Sequence, residues 1–174
     1  MTIQACAFST SLGWLILGES GKGLCFLRFF GPEEPSRSEV IGAATEEYPN
    51  VSVDPDSRSE LLEKAKDCLL AHIDDGRPIP DLPIDLPKGS AFEHSVWDAI
   101  ARIPFGKTRT YLELARDAGN PRAARAAGGA CGRNPLPVFV PCHRVVRSGG
   151  ALGGFAGGLD LKRSLLGIES RAQS

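Results

Sequence analysis

The N-terminal part of the chain alternates short apolar runs with turn-forming pairs. The apolar runs cover residues 4–10, 13–18 and 23–30, and Leu12-Gly13 and Ser20-Gly21 separate them. Short runs rich in apolar, β-branched and aromatic residues, bounded by glycine and serine, are typical of strands joined by tight turns. The pattern therefore predicts a β-hairpin or a meander at the N-terminus.

A polar stretch and then a helical repeat follow the predicted strands. Residues 31–56 are rich in proline, glutamate and serine, which predicts a loop with room for one short helix or strand. Residues 59–72 predict an amphipathic helix that stops before Gly76, because apolar positions recur at helical spacing: Leu61, Leu62, Ala65, Cys68, Leu69 and His72. Four prolines within residues 77–87 predict a semi-rigid extended linker.

Two capping boxes predict the first two helices of the C-terminal half. The box Ser90-Ala-Phe-Glu starts a helix that ends at residues 103–106 and turns four side chains to the core: Phe92, Val96, Trp97 and Ile100. The box Thr110-Tyr-Leu-Glu starts a second helix, which runs to about Ala118.

A tight turn and a third helix complete a helix-turn-helix pattern. Gly119 and Asn120 form the turn, and Asn120 is predicted to cap a helix with Pro121 at its first position, ending near Gly132. The helix is slim because, apart from its arginines, its body consists of small residues: Ala123, Ala124, Ala126, Ala127, Gly128, Gly129 and Ala130. Basic side chains project from it and beside it, namely Arg122, Arg125 and Arg133. This combination suits the minor groove of DNA, and tight packing against a neighbouring helix is the alternative.

Residues 138–146 read Val-Phe-Val-Pro-Cys-His-Arg-Val-Val. Pro141 fixes its own φ and favours an extended Val140, so Cys142 is predicted to leave the end of a strand. Nearby basic groups favour a thiolate and hence a nucleophilic cysteine: His143, Arg144 and Arg147. A buried structural cysteine beside a surface histidine is the alternative.

A glycine-rich loop follows the cysteine. Six glycines fall within residues 148–158, interrupted by Leu152 and Phe155. Because glycine permits positive φ and close backbone approach, the loop is predicted to wall a pocket with main-chain groups, a flexible connector being the alternative. An apolar helix is predicted over residues 159–166, with Glu169 beyond it.

Composition and charge divide the chain in two. With 174 residues, 42% hydrophobic and 24% charged, it suits one globular domain or two small ones. Residues 1–87 carry seven Lys/Arg against fifteen Asp/Glu (net −8), and residues 88–174 carry thirteen against six (net +7). The basic half suits a polyanion, a solvated basic face being the alternative. We predict an α+β fold with an N-terminal sheet-and-helix domain (1–80), a linker (81–89) and a mostly helical C-terminal domain (90–174) that holds the helix-turn-helix and the cysteine loop.

Several classes of protein are disfavoured. No apolar run approaches the roughly 20 residues that span a bilayer, and no signal pattern opens the chain, so we expect a cytoplasmic protein without a membrane partner. The interval from Cys142 to Arg147 is one residue too short for the Cys-x5-Arg loop of phosphatases, and no glycine-rich nucleotide motif occurs. A zinc site lacks paired Cys-x2-Cys spacing, although four residues could contribute ligands: Cys6, Cys25, Cys68 and His72. We expect no metal and no cofactor.

Five motifs follow one another in the C-terminal half: Thr110-Tyr111, Gly-Asn-Pro-Arg-Ala-Ala-Arg at 119–125, Gly-Gly-Ala at 128–130, Arg-Asn-Pro at 133–135 and Pro-Cys-His-Arg-Val at 141–145. In this order and spacing the chain resembles the O6-alkylguanine-DNA alkyltransferases. The resemblance covers nearly all of residues 90–169 and is most specific at 141–146. Residues 1–80 resemble the variable N-terminal domain of that family only loosely.

The resemblance implies direct repair of DNA. An alkyl (methyl) group would pass once from O6 of guanine, with O4 of thymine as a further possibility, in double-stranded DNA to Cys142 of a monomeric protein. His143, through a water, would take the thiol proton, and Glu169 would orient the imidazole. Asn134 would brace the active-site turn. Tyr111 would press on the phosphate and assist protonation of the departing guanine.

The resemblance also implies how DNA is held. Arg125 would replace the flipped base, and the surrounding helix would lie in the minor groove through Arg122, Ala123, Ala124, Ala126, Gly128 and Arg133. The base pocket would be formed by Cys131, Val145, Gly153, Phe155, Ala156 and Gly157. The chain departs from many relatives at Phe155 and Ala156, where tyrosine and serine are frequent.

The chemistry of the product agrees with one alkyl transfer per protein molecule. A thioether has no carbonyl for water to attack, so an alkylated cysteine is not regenerated by hydrolysis. Three rivals remain: a protein that binds alkylated bases without removing the alkyl group, a helix-turn-helix regulator and a catalytic thiol hydrolase. The first would not need Cys142, and the second usually carries larger polar side chains on its recognition helix.

Overall fold

Three antiparallel strands open the chain in the computed structural model, which describes residues 1–173. β1 (Thr2–Thr10), β2 (Gly13–Ser20) and β3 (Gly23–Gly31) follow the apolar runs, so the predicted meander is confirmed. β4 (Ser52–Asp54) adds a parallel strand at the edge of β1, which gives the order β3-β2-β1-β4.

The stretch between β3 and β4 contains a full helix. α1 (Arg37–Glu47) begins with a capping box formed by Ser36 and Glu39, and it buries Val40, Ala43 and Ala44. The prediction of a loop with one short element was therefore wrong, because this region supplies both a helix and a strand. Alanines give the buried face of α1 little hydrophobic contrast, so no helical period stands out in the sequence.

The predicted amphipathic helix is present and ends three residues later than expected. α2 (Glu60–Asp75) ends at Gly76, which adopts φ 68° as a left-handed cap. The proline-rich segment that follows is attached to β3 rather than free along its length. The amide of Leu24 donates to the carbonyl of Pro83 (2.9 Å), and the amide of Asp85 donates to the carbonyl of Leu24 (2.9 Å).

The chain divides into two units, Met1–Pro87 and Lys88–Ser174. One apolar cluster of the first unit joins the sheet to α1 and includes Ile3, Ala5, Ile16, Phe26 and Val40. The second unit is mostly helical, so the α+β fold class is confirmed. Ser174, the last residue of the predicted C-terminal domain, lies outside the described residues.

Capping chemistry fixes two helices of the second unit where the sequence predicts them. α3 (Ala91–Ala101) begins at the box of Ser90, and α4 (Tyr111–Asp117) begins at the box of Thr110. In each, the cap hydroxyl accepts from the third helical amide while the glutamate accepts from the amide of the cap residue. Local side chains therefore satisfy amides that a helix start leaves open.

The third helix starts later than predicted. α5 (Ala124–Gly132) has no side-chain cap, so the prediction that Asn120 caps it with Pro121 in its first position was wrong. Asn120 instead closes a turn, because its carbonyl accepts from the amide of Ala123 at 3.0 Å. The nitrogen of the Trp97 indole holds α5 against α3 by donating to the carbonyl of Ala130 (2.9 Å).

No strand leads into the cysteine, contrary to the prediction. Val138 has φ 74°, and Val140 forms only an isolated bridge with Pro137. Prolines at 135, 137 and 141 remove the amide donors that a ladder requires. The chain instead forms a 3₁₀ turn over Cys142–Arg144.

Two elements follow the turn. β6 (Val145–Val146) pairs in parallel with β5 (Arg109–Thr110), which precedes α4. α6 (Leu159–Arg171) runs five residues beyond the predicted helix end, so Glu169 lies within the helix and not after it. The last turn of α6 can therefore aim this carboxylate at a fixed point.

Candidate active site

The thiol of Cys142 lies at a cavity of about 300 Å³ and is itself 6% exposed. The first residue of the 3₁₀ turn thus reaches a space large enough for a small planar group. The walls come from α4, α5 and the glycine-rich loop: Tyr111, Gly128, Cys131, Gly132, Gly154, Phe155 and Ala156. Two of the three α5 residues in this wall are glycines, so the slim face of the helix makes the space.

Asn134 holds the backbone that leads to the cysteine. Its amide nitrogen donates to the carbonyl of Val140 (2.8 Å), and its amide oxygen accepts from the amide of Leu136 (3.0 Å). The buried side chain also hydrogen-bonds the thiol of Cys142. One asparagine therefore replaces the sheet hydrogen bonds that the prolines exclude.

The cysteine is held as a thiol at neutral pH. Burial raises the pKa of Cys142 to about 11, and the hydrogen bond from Asn134 and the charge of Lys162 only partly oppose it. The expectation that Arg144 and Arg147 favour the thiolate was wrong: Arg147 is exposed, and Arg144 is bound elsewhere. Nucleophilic attack therefore needs a base that removes the thiol proton.

His143 and Glu169 form a buried pair beside the cysteine. The Nε2 atom of His143 lies 2.7 Å from Oε1 of Glu169, and the two residues are at most 1% exposed. Burial raises the pKa of Glu169, but hydrogen bonds from His143 and Arg144 outweigh it and lower the value to about 2. The carboxylate is therefore an acceptor, Nε2 carries the hydrogen and Nδ1 is the basic nitrogen.

Lys162 is a site residue that the sequence reading missed. It is fully buried on α6, and its ammonium donates to the carbonyls of Val145 (2.5 Å) and Gly154 (3.2 Å). Burial lowers its pKa, while the charge of Cys142 raises it. A lysine in the apolar stripe of α6, three residues from Leu165, is the feature of the sequence that could have revealed it.

Tyr111 forms the part of the cavity wall that contacts the glycine-rich loop. Its hydroxyl accepts from the amide of Gly154, and burial raises its pKa. A Cβ on Gly153, which has φ 70°, would lie 2.7 Å from this hydroxyl. A Cβ on Gly128 would lie 3.6 Å from the ring, an ordinary contact. The loop thus needs glycine at 153 for Tyr111 to sit where it does.

The predicted pocket residues divide into two groups. Cys131, Phe155 and Ala156 line the cavity. Val145, Gly153 and Gly157 are not among its lining residues. The carbonyl of Val145 accepts a hydrogen bond from Lys162, and Gly153 packs against Tyr111. Both residues therefore hold neighbouring groups of the site in position without lining the cavity themselves.

α5 presents different faces to solvent and to the protein. Arg125 and Ala126 are exposed, as is Arg122 just before the helix, whereas Ala127 and Ala130 are buried. Ala123, Ala124 and Gly128 are half-buried. Arg133 is exposed and pairs with Glu93 at 2.5 Å. Small residues therefore serve tight helix packing on one side and leave a basic surface on the other.

The cysteines of the N-terminal unit are not gathered into a ligand cluster. Among residues 1–173, no group of three or more His, Cys, Asp or Glu side chains with adjacent ligand atoms includes Cys6, Cys25 or Cys68. Burial raises the pKa of Cys6 to about 11 and that of Cys25 to about 12, which opposes the thiolate that zinc needs. No helix in the described part of the chain is long and apolar enough to cross a membrane.

Some known proteins are similar to the C-terminal half, which contains the site, and others are similar to nearly the whole chain. Residues 91–171 match the 6-O-methylguanine DNA methyltransferase DNA-binding domain. A methylated-DNA–protein-cysteine methyltransferase of Methanosarcina acetivorans is 53% identical over 83 residues, 48% of this chain and 53% of that protein. The chain thus spans about half the length of the first relatives it matches.

Longer matches cover both units. The inducible methylated-DNA–protein-cysteine methyltransferase of Bacillus subtilis is 34% identical over 154 residues, 88% of this chain and 82% of that protein. The crystal structure of Mycobacterium tuberculosis O6-methylguanine methyltransferase is 35% identical with a TM-score of 0.77, covering 98% of this chain and 94% of that one. A structure titled Mycobacterium tuberculosis OGT in complex with DNA has a TM-score of 0.78 at 35% identity, covering 97% and 94%. This chain therefore belongs to the family of methylated-DNA–protein-cysteine methyltransferases.

Proposed function

We propose that this protein repairs alkylated DNA by moving an alkyl group from O6 of guanine to the sulfur of Cys142, once per molecule. One observation carries the proposal: Cys142 opens into a cavity of about 300 Å³ and is adjoined by a buried His143–Glu169 pair. The family supports it, because the relatives are named for methyl transfer to a protein cysteine.

The proposed step is a displacement at carbon. Nδ1 of His143 takes the thiol proton through a water molecule, and the sulfur of Cys142 then forms a bond to the alkyl carbon as the O6–carbon bond breaks. Tyr111 supplies a proton to the departing guanine. Lys162 stabilises the thiolate as it forms, since its charge acts on Cys142. The C–S bond of the product resists hydrolysis, so no step regenerates the thiol.

The C-terminal domain, residues 90–174, is proposed to hold double-stranded DNA from the minor-groove side as a monomer. A guanine within the stack cannot reach Cys142, so the nucleotide must leave the helix at a cost of a few kcal/mol. Arg125, which is exposed, is proposed to fill the gap, and Tyr111 is proposed to press on the phosphate. The remaining contacts are proposed for Arg122, Ala123, Ala124, Ala126, Gly128 and Arg133.

The proposed pocket binds the flipped guanine against Tyr111 and the adjoining glycine-rich loop. Cys131, Phe155 and Ala156 border the space, and Val145, Gly153 and Gly157 shape its walls. Phe155 and Ala156 offer no side-chain hydrogen bond, so backbone groups of the loop are assigned the polar contacts. A complex of the Mycobacterium tuberculosis relative with DNA supports DNA as the partner.

Mass spectrometry of the intact protein tests this function. Incubation with a duplex that contains O6-methylguanine is expected to add one methyl group per protein molecule, mapped to Cys142, and to leave guanine in the DNA. Cys142→Ala is expected to bind the same duplex without removing the methyl group. A duplex with O4-methylthymine tests the second substrate.

The same experiment separates the rivals. A protein that only binds DNA gains no mass. A thiol hydrolase removes more than one methyl group per molecule and ends unmodified. Demethylation by Cys142→Ala would show that another residue is the nucleophile.

A further inference from the structure

Arg144 is bound to the carboxylate that orients the imidazole, although its position next to His143 suggests a role at the thiol. Its Nε lies 3.1 Å from Oε1 and 3.0 Å from Oε2 of Glu169, and its Nη2 lies 2.9 Å from Oε1. A guanidinium that meets both oxygens of a carboxylate fixes the plane of that carboxylate as well as its position. Lysine, a point charge, does not supply this geometry.

The third nitrogen of the Arg144 guanidinium is anchored to the turn after α3. Nη1 donates to the carbonyl of Ile103 (2.7 Å), and the guanidinium lies 5.8 Å from the centre of the Phe105 ring. The amide of Gly106 in the same turn donates to Oε2 of Glu169 (2.9 Å). This turn therefore binds both members of the Arg144–Glu169 pair.

Three segments of the unit converge on one carboxylate. Glu169 comes from α6, Arg144 and His143 come from the 3₁₀ turn, and Gly106 follows α3. Oε1 of Glu169 contacts His143 and Arg144, and Oε2 contacts Arg144 and Gly106. Without Arg144, Oε2 of Glu169 would keep the hydrogen bond from the amide of Gly106 and lose the one from the guanidinium. The carboxylate could then rotate away from His143.

We propose that Arg144 is a positioning residue for alkyl transfer: it fixes the orientation of the Glu169 carboxylate so that His143 keeps its hydrogen on Nε2 and its basic Nδ1 available to the thiol of Cys142. This rests on the proposed function, because it assigns His143 the removal of the thiol proton. Arg144 does not touch the reacting atoms in this scheme. Its effect passes through Glu169.

Single-turnover transfer from O6-methylguanine DNA, measured for the full chain, tests the proposal. Arg144→Ala is expected to lower the transfer rate about 10- to 100-fold, the usual effect of removing a residue that orients a catalytic ligand. DNA affinity is expected to stay at the wild-type value. Arg163→Met is the matched control, since Arg163 is exposed on α6, where it pairs with Asp160.

A double-mutant cycle separates positioning through Glu169 from a direct effect of charge. In the Glu169→Gln background, Arg144→Ala is expected to slow transfer by no more than about twofold, because the interaction it serves is already lost. Independent losses that multiply would overturn the proposal. Arg144→Lys, which keeps the charge, is expected to resemble Arg144→Ala; full activity in Arg144→Lys would also overturn it.

Two further readouts respond to positioning and not to a merely weakened fold. Guanidinium chloride at low concentration is expected to restore part of the rate of Arg144→Ala, whereas sodium chloride at equal ionic strength is not. The ¹⁵N shifts of His143 are expected to show one tautomer in the wild type and a mixture in Arg144→Lys, the variant used if Arg144→Ala does not fold. An unchanged tautomer would refute the proposal. If the wild type transfers no methyl group, the proposed function fails instead.

Discussion

The two units of the chain differ in how their buried polar side chains are arranged. In Met1–Pro87 the sheet buries apolar groups such as Ile3, Ile16 and Phe26, each at most 1% exposed. In the C-terminal unit a polar group surrounds Cys142 and is also buried: Asn134, His143, Lys162 and Glu169. Both units bury apolar side chains, but in the C-terminal unit the buried polar groups are gathered around one cysteine.

Apolar burial contributes to the stability of the fold, whereas the buried polar groups around Cys142 are better explained by the chemistry of that residue. Apolar burial stabilises a fold by about 25 cal/mol per Å² and needs no particular partner. Buried charges cost several kcal/mol each unless pairing compensates them, and an apolar replacement often does as well or better for stability. The C-terminal network is therefore best explained by what it does to Cys142. The N-terminal unit offers a counterexample in Glu19, which is 6% exposed and whose Oε2 has no hydrogen-bond partner within the described part of the chain.

Replacing the buried ammonium gives the largest expected effect. Lys162→Met is expected to slow methyl transfer about 100-fold, or about 2.7 kcal/mol in the barrier, because the forming thiolate loses its cation. Stability is expected to hold or to rise, since an apolar side chain replaces a buried charge. Single-turnover kinetics and thermal unfolding measure the two, with Arg163→Met as the control. If the variant lost stability and kept its transfer rate, Lys162 would serve the fold and not the reaction.

Acid should weaken the C-terminal unit through Glu169. The folded state lowers the pKa of this carboxyl from 4.5 to about 2. Its ionised form therefore stabilises the fold above about pH 4.5, and the contribution of about 3 kcal/mol is lost as the pH falls toward 2. Urea unfolding between pH 7 and pH 3 measures this, and Glu169→Gln is expected to flatten the dependence. Asp160→Asn, at an exposed site of α6, should not flatten it.

Alanine substitutions at two glycines of the same loop distinguish the effect of backbone strain on stability from the effect of pocket shape on the transfer rate. Gly153 (φ 70°) abuts Tyr111, whereas Gly149 (φ 85°) has nothing within 4 Å of its Cβ position. Alanine at either is expected to cost about 1 kcal/mol of stability, because positive φ disfavours a side chain. Only Gly153→Ala is expected to slow transfer, by about tenfold, since it displaces Tyr111. Equal rates of methyl transfer for the two variants would show that the position of Tyr111 does not affect the reaction.

The smallest effect is expected in the N-terminal unit. Glu19→Gln should raise the free energy of unfolding by about 0.5–1 kcal/mol, because a neutral amide costs less to bury than a carboxylate. The rate of methyl transfer should not change. Chemical denaturation at neutral pH tests this. If the variant is destabilised, Glu19 is a compensated charge and the contrast between the units is weaker than stated.

Much of the fold could be predicted where local chemistry settles it. The boxes at Ser90 and Thr110 satisfy helix amides with side chains three residues apart, and Gly76 ends α2 because it accepts a left-handed φ. α5 could not be placed in this way, since it has no side-chain cap and Asn120 closes a turn instead. The strand predicted before Cys142 failed because Asn134, and not a neighbouring strand, satisfies that backbone.

The family motifs, the candidate nucleophile and the residues next to it can be recognised from the sequence, because they lie within short stretches of fixed order. The roles of Arg144 and Lys162 depend on the fold. Arg144 binds Ile103, 41 residues away, and Lys162 binds Val145, 17 residues away. Such hydrogen bonds exist only after distant segments pack and exclude water, so no local pattern of residues encodes them.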